Sequence, residues 1–418
     1  MPEIALKYGS SEVTLDVPEH NLCGVLEPSD LPALGNPGLE IERALAHPIG
    51  SPPLRELAAG KGRVVILVSD ITRPSPSRLM LPPILQELQR AGLKYSQIRV
   101  VFALGYHRCH NEEEKRFLLG EEVFSRVEAI DHDVNRCVYI GTTGQGTPVE
   151  VFEPVAQADL VIATGNIELH YKAGYTGGNK ALLPGCCSAR SIAANHSLMM
   201  SCEAGPGIID GNPMRRDIEE AGRLARVAFI VNVVLNSRKE VVKVVAGDPI
   251  LAHRAGVSAV DEMYKRKLAT PANIVVASCG GMPKDINMYQ AQKALENASR
   301  AVTHGGTIIL VAECREGLGE RTFAEWMVSS TSPDEPIERL KLGFRLGAHK
   351  AAILCQVLRQ TEVYLVSSMP ADLVKKIFMK PASTVQEALA QALERHGMKA
   401  RVLVMPHAES TLPVLSGS

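Results

Sequence analysis

The chain is predicted to be an α/β protein with two domains, mostly parallel sheets and an active-site cleft between the domains. Its 418 residues are too many for one ordinary hydrophobic core. Short unbroken runs rich in Val and Ile recur along the chain, and helical patterns separate many of them. Unbroken apolar runs that alternate with helices are typical of buried parallel strands.

The elements follow in order along the chain. Residues 3–17 alternate in polarity about Gly9-Ser10 and predict a hairpin. Further strands of the first domain are predicted at 64–69, 98–104, 159–165, 228–236 and 240–247. One intervening helix begins after Asn111, which is a favourable N-cap before three acidic residues. Strands of the second domain are predicted at 273–280, 306–313, 361–367 and 400–406.

These elements define the expected domain boundaries. We assign residues 1–267 to an N-terminal domain that binds a cofactor and carries catalysis, and residues 268–406 to a C-terminal α/β domain. The charged stretch YKRKLATPAN, from residue 264 to 273, is interpreted as the linker. The tail, 407–418, is expected to pack back on the first domain.

Composition narrows the class of protein. A formal net charge of −1 and an aromatic content of 4% argue against nucleic-acid and membrane partners. The longest apolar runs are shorter than a membrane span, and the first residues lack the apolar core of a signal peptide. Nine cysteines without a CxxC pair are typical of reduced thiols, so we expect a cytoplasmic protein.

Polar motifs stand where the predicted strands end. Asp70, Thr72 and Arg73 follow one strand, Tyr106-His107-Arg108 the next, and Glu168 to His170 a third. In the second domain a strand is followed by a helix that carries Tyr289, Gln290 and Lys293 on one face. Ligands of open parallel sheets bind at the carboxyl ends of the strands, so these motifs predict one site between two domains.

The side chains suit a small carboxylic acid. Arg73 offers a planar fork for a carboxylate or phosphate, and Lys293 a second cation. His107 and His170 follow separate strands and are candidate proton carriers on two sides of a substrate. Arg108 and His110 are alternatives to His107 at this stage. The structural alternatives are a capped turn at Asp70 and a solvated helix face at Lys293.

The segment from residue 174 to 180, GYTGGNK, resembles a phosphate-binding loop. Asn179 and Ala181 replace the Gly and the Ser or Thr that a nucleotide P-loop needs, so an ATPase or GTPase is disfavoured. Gly177 and Gly178 still permit close approach of an anion. After Pro184-Gly185 a helix capped by Ser188 is predicted to turn His196 inward, either as a metal ligand or as a core histidine.

Taken as a set, these motifs resemble the nickel-dependent lactate racemase family over nearly the whole chain. The likeness rests on Asp70-x-Thr72-Arg73-Pro74, Gly105-x-His107-Arg108, His170-Tyr171-x-Ala173-Gly174-Tyr175-x-Gly177-Gly178-x-Lys180, Asn195-His196 and Tyr289-Gln290-x-x-Lys293. The resemblance implies a nickel-pincer nucleotide, a pyridinium mononucleotide with thioamide and thiocarboxylate groups that bind Ni(II). It implies that Lys180 carries this cofactor covalently, that His196 ligates nickel, and that Asp70, Thr72, Gly177 and Gly178 lie near the phosphate.

The activity that the resemblance implies is racemisation or epimerisation at C2 of a 2-hydroxy acid by proton-coupled hydride transfer. His107 and His170 are then the two acid/base groups, while Arg73, Tyr289, Gln290 and Lys293 hold the substrate. The implied partners are the small acid and the enzymes that make and insert the cofactor. The alternatives are a metal-dependent hydrolase or lyase with three histidine ligands, and a protein that only binds a small anion.

One position departs from the family pattern. The family places a tryptophan before a helix of the QxxIL type, where this chain has His349-Lys350. The substrate can therefore be lactate-like, malate-like or a sugar acid. Lys350 is either a cation for a second carboxylate or a residue of the helix surface.

Overall fold

The computed structural model describes residues 3–343, 345 and 347–416. Its strands are β1 (Glu3–Tyr8), β2 (Ser11–Asp16), β3 (Leu22–Val25), β4 (Val64–Ser69), β5 (Ile98–Ala103), β6 (Glu128–Asp131), β7 (Cys137–Thr142), β8 (Pro148–Phe152), β9 (Leu160–Ile167), β10 (Leu169–His170), β11 (Gly174–Tyr175), β12 (Val227–Leu235), β13 (Val241–Gly247), β14 (Lys265–Leu268), β15 (Ala272–Ser278), β16 (Val302–Val311), β17 (Glu362–Val366), β18 (Lys380–Ala382), β19 (Val402–Met405) and β20 (Leu412–Leu415).

Helices alternate with most of these strands. They are α1 (Pro37–Ala46), α2 (Leu54–Ala58), α3 (Ser77–Arg90), α4 (Glu112–Leu119), α5 (Glu121–Phe124), α6 (Glu153–Ala156), α7 (Ala189–Ser197), α8 (Pro213–Leu224), α9 (Leu251–Tyr264), α10 (Met288–Ala298), α11 (Arg321–Ser329), α12 (Asp334–Leu342), α13 (Ala348–Leu358), α14 (Ala371–Lys376) and α15 (Val385–His396). Short 3₁₀ turns occupy Tyr95–Gln97, Gly178–Ala181, Leu198–Met200 and Ala408–Ser410. The fold is therefore α/β, as predicted.

The unit formed by Asp30–Met263 is built on one six-stranded sheet. Its strand order is β13-β12-β9-β4-β5-β6, and all neighbours except β12 and β13 are parallel. The first five residues of β4, Val64 to Val68, are buried, because helices cover both faces of a parallel sheet. The unbroken Val/Ile runs in the sequence record this two-sided burial.

One edge strand of this sheet differs from the parallel expectation. β13 runs antiparallel to β12, because the chain reverses through a tight turn in which the Asn236 amide donates to the Glu240 carbonyl over 3.0 Å. A parallel neighbour needs a crossover of a dozen or more residues, and this turn is far too short.

The second unit combines the residues up to Ser29 with those from Tyr264 onward. Its six-stranded sheet is parallel throughout, in the order β18-β17-β16-β15-β19-β3. The predicted N-terminal hairpin is confirmed as β1 and β2, and Leu6 and Leu15 from it are buried in the core of this unit.

Three details of the predicted domain boundaries differ from this division. The N-terminal segment, which carries β1 to β3, groups with the C-terminal unit rather than with the residues that follow it. The expected linker contains a strand, β14, which pairs in parallel with β20 of the tail. The tail therefore packs within this second unit, on the stretch that was predicted to be the linker; residues 417 and 418 lie outside the described residues.

No helix among the described residues is both long enough and apolar enough to cross a bilayer.

Candidate active site

In the unit Asp30–Met263, the carboxyl ends of three neighbouring parallel strands bring the predicted motifs of this unit to the same end of the sheet. β4 lies between β9 and β5, and their carboxyl ends lead to Asp70, to the His107 loop and to the His170 loop. The alternation of strand and helix therefore positions these side chains as the sequence predicts.

His107 is held by the carboxylate of Asp70. The His107 Nδ1 lies 3.1 Å from Asp70 Oδ2 and 3.5 Å from Thr72 Oγ1, and the Thr72 amide donates to Asp70 Oδ1 over 2.7 Å. Burial acts to raise the pKa of Asp70, but the hydrogen bonds from His107 and Thr72 outweigh it and lower that pKa to about 2. A carboxylate facing Nδ1 fixes the ring with Nδ1 as donor, which leaves Nε2 as the acceptor in the neutral form.

The two alternatives to His107 have other roles. Arg108 forms a two-pronged ion pair with Glu114 at 2.6 and 2.8 Å on the surface. His110 is buried, accepts the Ile71 amide at Nε2 over 3.1 Å, and lies with Nδ1 2.7 Å from Asp131. The imidazole of His107 is 42% exposed, so it is the ring of this loop that a substrate can reach.

His170 sits at the start of a tight loop between β10 and β11. Its Nδ1 accepts the amides of Ala173 over 3.0 Å and of Lys172 over 3.3 Å, which places the proton of the neutral ring on Nε2. Burial and the nearby charges of Lys180, Arg73 and His196 lower the pKa of His170 well below its usual value. His170 is therefore a neutral ring that presents an N–H at neutral pH.

Lys180 lies in the 3₁₀ turn Gly178–Ala181 that follows this loop. Burial, assisted by the charges of Arg73 and Arg215, lowers the pKa of Lys180 to about 7. Since Arg73, Lys180 and His196 all act on His170, these four predicted residues form one cluster within this unit. A neutral amine is the nucleophilic form of lysine, and the cluster supplies it near neutral pH.

Residues outside the predicted set brace the loop that carries His170 and Lys180. Arg215, 1% exposed on α8, donates through Nε to the Ala173 carbonyl over 3.0 Å and through a terminal nitrogen to the Tyr175 carbonyl. Asn212 caps α8 and donates to the Lys172 carbonyl over 2.8 Å. Their sequence signal is weak, because a buried arginine on a helix looks like a surface cation until its partners are known.

The two glycines of the loop have backbone angles that other residues rarely adopt. Gly177 and Gly178 have φ of +75° and +59°, where side chains with a Cβ are strained. A Cβ at Gly177 would lie 2.8 Å from Ile167 Cγ1 and 2.9 Å from Asn232 Oδ1. The Gly178 amide already donates to Asn232 over 2.8 Å. The glycines thus let the turn pack closely on β9 and β12 and deliver Lys180 to the cluster.

α7 carries His196 in its last turn. The predicted cap is confirmed, since the Ser188 hydroxyl accepts the Ser191 amide over 3.2 Å. His196 is half-buried, and its charge acts on His170. The described residues contain no group of three or more His, Cys, Asp and Glu side chains placed to hold a metal ion, so a three-histidine site is not formed among them.

The cluster nevertheless fits the nucleotide that the sequence resemblance implies. That cofactor brings its own sulfur and carbon donors and needs from the protein one amine for attachment and one imidazole for nickel. Lys180 is a partly exposed amine with a lowered pKa, and His196 is an imidazole whose charge acts on the same ring, His170. Arg73 adds positive charge for an anionic group.

The remaining predicted residues lie on α10 in the other unit. Tyr289, Gln290 and Lys293 share one partly exposed face of this helix, which Asn287 caps. The Lys293 ammonium lies 3.2 Å from Glu409 of the tail, a partner that sequence reasoning missed. Glu409 comes more than a hundred residues after Lys293, and only the packing of the tail brings the two together.

Comparisons with known proteins identify the family. The model of the lactate racemase N-terminal domain matches residues 8–207, and that of the C-terminal domain matches residues 268–412. The chain is 34% identical to a lactate racemase of Thermoanaerobacterium thermosaccharolyticum over 424 residues, covering 99% of both proteins. It is 35% identical to a lactate racemase of Lactiplantibacillus plantarum over 419 residues, covering 97% of this chain and 98% of that protein.

A solved structure agrees with these sequence matches. The lactate racemase apoprotein from T. thermosaccharolyticum superposes with a TM-score of 0.90 at 33% identity, covering 99% of this chain and all of that one. A Thermotoga maritima protein of 19% identity, with a TM-score of 0.62, shares the fold. The full-length relatives are racemases, which supports an isomerase. The chain belongs to the lactate racemase family.

Proposed function

We propose that this protein inverts the C2 centre of a 2-hydroxy acid by proton-coupled hydride transfer, with a nickel-pincer nucleotide attached to Lys180. The observation that carries the proposal is the cluster of Arg73, His170, Lys180 and His196, in which the Lys180 amine has a pKa of about 7. An amine that is about half neutral at pH 7 is suited to forming the thioamide link to the cofactor.

Two residues would hold the cofactor. Lys180 would carry it covalently and His196 would ligate Ni(II), and Asp70, Thr72, Gly177 and Gly178 are the residues proposed for its phosphate side. When bound, the group would supply hydride-transfer chemistry through its pyridinium ring. The protein supplies orientation and proton transfer.

The two histidines would move the proton. His107, with Nδ1 directed at Asp70, offers Nε2 to the hydroxyl of a bound acid, while His170 offers an Nε2–H to a substrate oxygen. One bare nitrogen and one N–H are what removal of a proton at one face and its delivery at the other require. Asp70 keeps the His107 ring in the productive tautomer.

Cations would hold the substrate carboxylate. Arg73 provides a guanidinium in the cofactor cluster, and Lys293 an ammonium on α10, with Tyr289 and Gln290 beside it on the same helix face. These donors favour the developing negative charge on the substrate oxygens. The substrate class is lactate-like, malate-like or a sugar acid, the proposed partners are the enzymes that make and insert the cofactor, and the proposed location is the cytoplasm.

The test compares Lys180→Ala with the parent protein after co-expression with cofactor-making enzymes and nickel. Intact mass should show the cofactor on the parent but not on Lys180→Ala, and nickel should copurify only with the parent. Lys61→Ala, at an exposed lysine, is the matched control. Chiral analysis of a panel of 2-hydroxy acids should show inversion only by loaded protein.

Other outcomes identify the alternatives. Metal bound equally by Lys180→Ala and by protein from any host would indicate a hydrolase or lyase that uses histidine ligands directly. Loaded protein that inverts none of the acids, and exchanges no deuterium at C2, would leave only a binding protein.

A further inference from the structure

A buried lysine of the C-terminal unit lies beside the predicted substrate residues. Lys350 is 7% exposed, and its ammonium donates to the Tyr289 carbonyl over 2.8 Å. The same nitrogen lies 3.7 Å from the centre of the Tyr289 ring. A carbonyl and a ring face are the contacts that this ammonium makes among the described residues, with no carboxylate oxygen within 4 Å.

This environment is costly for a cation. Burial and, to a lesser extent, the charge of Lys293 lower the pKa of Lys350 to about 7, against smaller contributions from Glu296 and Glu409. An ammonium that is removed from water without a paired carboxylate destabilises the fold, so packing alone does not account for a lysine here. An ammonium has three N–H donors, of which the Tyr289 carbonyl accepts one.

Lys350 is also adjacent to Lys293. Residues 289 and 293 are one helical turn apart on α10, so the carbonyl that Lys350 contacts is the one that faces the Lys293 amide. Lys293 is held on its other side by Glu409, which also lies 3.7 Å from Lys284. Within the part of the chain that the structure describes, Lys293 therefore has a carboxylate partner within 4 Å, whereas Lys350 has none.

We propose that Lys350 binds the second carboxylate of a 2-hydroxy dicarboxylic acid, and that such an acid, with malate as the simplest example, is the preferred substrate. The inference rests on the proposed function and names the substrate class of that site. One carboxylate would bind at Lys293, while the other would pair with the buried ammonium of Lys350. A methyl group, as in lactate, would leave that ammonium unpaired.

The first experiment measures kcat/KM for malate and lactate with loaded protein, by chiral chromatography. The parent should prefer malate by roughly tenfold or more, and Lys350→Gln should lower the malate-to-lactate ratio by about 10- to 100-fold, the range of a hydrogen bond to a buried charge. Lys350→Arg should recover part of the ratio. Lys375→Gln, at an exposed lysine of α14, should keep the parent ratio.

Two results would overturn the inference. One is a parent protein that turns over lactate at least as well as malate. The other is a folded Lys350→Gln protein, judged by circular dichroism, with an unchanged ratio. If Lys350→Gln fails to fold, competition in the parent decides: succinate should inhibit at least about tenfold more strongly than propionate, and equal inhibition would contradict the proposal.

A second experiment separates this inference from the proposed function. Calorimetry on protein without cofactor should detect malate binding that is weaker for lactate and weakened by Lys350→Gln. If that holds but loaded protein inverts no acid, the proposed function fails and the carboxylate site stands. If lactate is inverted while malate neither binds nor reacts, the proposed function stands and the carboxylate site fails.

Discussion

Replacing Asp70 with Asn tests the arrangement around His107 most directly. Asp70 is 3% exposed, and it accepts from the Thr72 amide and faces His107 Nδ1. Folding lowers its pKa from 3.8 to about 2, and at about 1.4 kcal/mol per pH unit this corresponds to about 2 kcal/mol of stabilisation. Because the His107 ring is 42% exposed, solvent screens part of it, and we expect Asp70→Asn to lower the free energy of unfolding at pH 7 by about 1–2 kcal/mol.

The sign of the pH dependence follows from the lowered pKa. A carboxyl group whose pKa is depressed on folding stabilises the protein above its unfolded pKa, and this contribution disappears as pH falls from about 4 to about 2. Urea unfolding of the parent and Asp70→Asn should therefore differ at pH 7 and converge near pH 2. Chiral turnover by the variant should fall by about 10²- to 10⁴-fold, because an amide no longer fixes the tautomer of His107.

Asp159→Asn is the matched control for this prediction. Asp159 accepts the Gly62 and Arg63 amides over 3.0 and 2.8 Å just before β9, at the opposite edge of the same sheet. Asp159→Asn should change the free energy of unfolding but leave chiral turnover near that of the parent. If Asp70→Asn is as active as Asp159→Asn, Asp70 does not position His107 and the assignment is wrong.

Three further predictions concern the loop that delivers Lys180. The rate of acylation of Lys180 in cofactor-free protein should rise as pH passes through about 7 and then level off, whereas the rate for ordinary lysines rises up to about pH 10.5. Peptide mass spectrometry measures both rates. An ordinary lysine profile for Lys180 would contradict the lowered pKa. Gly177→Ala should lower the free energy of unfolding by about 2–4 kcal/mol, because it places a side chain at a positive φ and in a steric clash. The control Gly60→Ala, at a φ of +72° with open space around it, should lower it by about 1 kcal/mol. Equal losses would show that the close packing around Gly177 does not matter. Arg215→Met should lower the free energy of unfolding in urea by about 2–4 kcal/mol, because it leaves two buried carbonyls without their donor. The control Arg216→Met, at the exposed neighbouring position, should change it little. Similar losses would show that Arg215 does not brace the loop.

The sequence alone determined the fold class and the strands that carry the site. The runs that became β4, β5 and β9 are mostly buried on both faces of a sheet, and that burial favours apolar residues at most of their positions. Caps such as Asn111 and Ser188 are local hydrogen bonds within one turn, so sequence predicts them as well. The family was recognisable because its motifs stand at fixed spacings within these local elements.

Tertiary structure decided what depends on residues distant in the chain. His107 rather than His110 is assigned to the site because Asp131 binds the ring of His110, whereas Asp70 orients the ring of His107. The N-terminal hairpin and the tail joined the C-terminal unit because strand pairing and core packing act across hundreds of residues.

The surroundings of Lys180 and Lys350 were likewise invisible in the sequence. A lysine after a glycine pair and a lysine on a helix both read as ordinary cations, and only their surroundings lower each pKa to about 7. Periodicity reports which face of an element is apolar, whereas charge, desolvation and the partner of each polar group are set by contacts that form only in the folded chain.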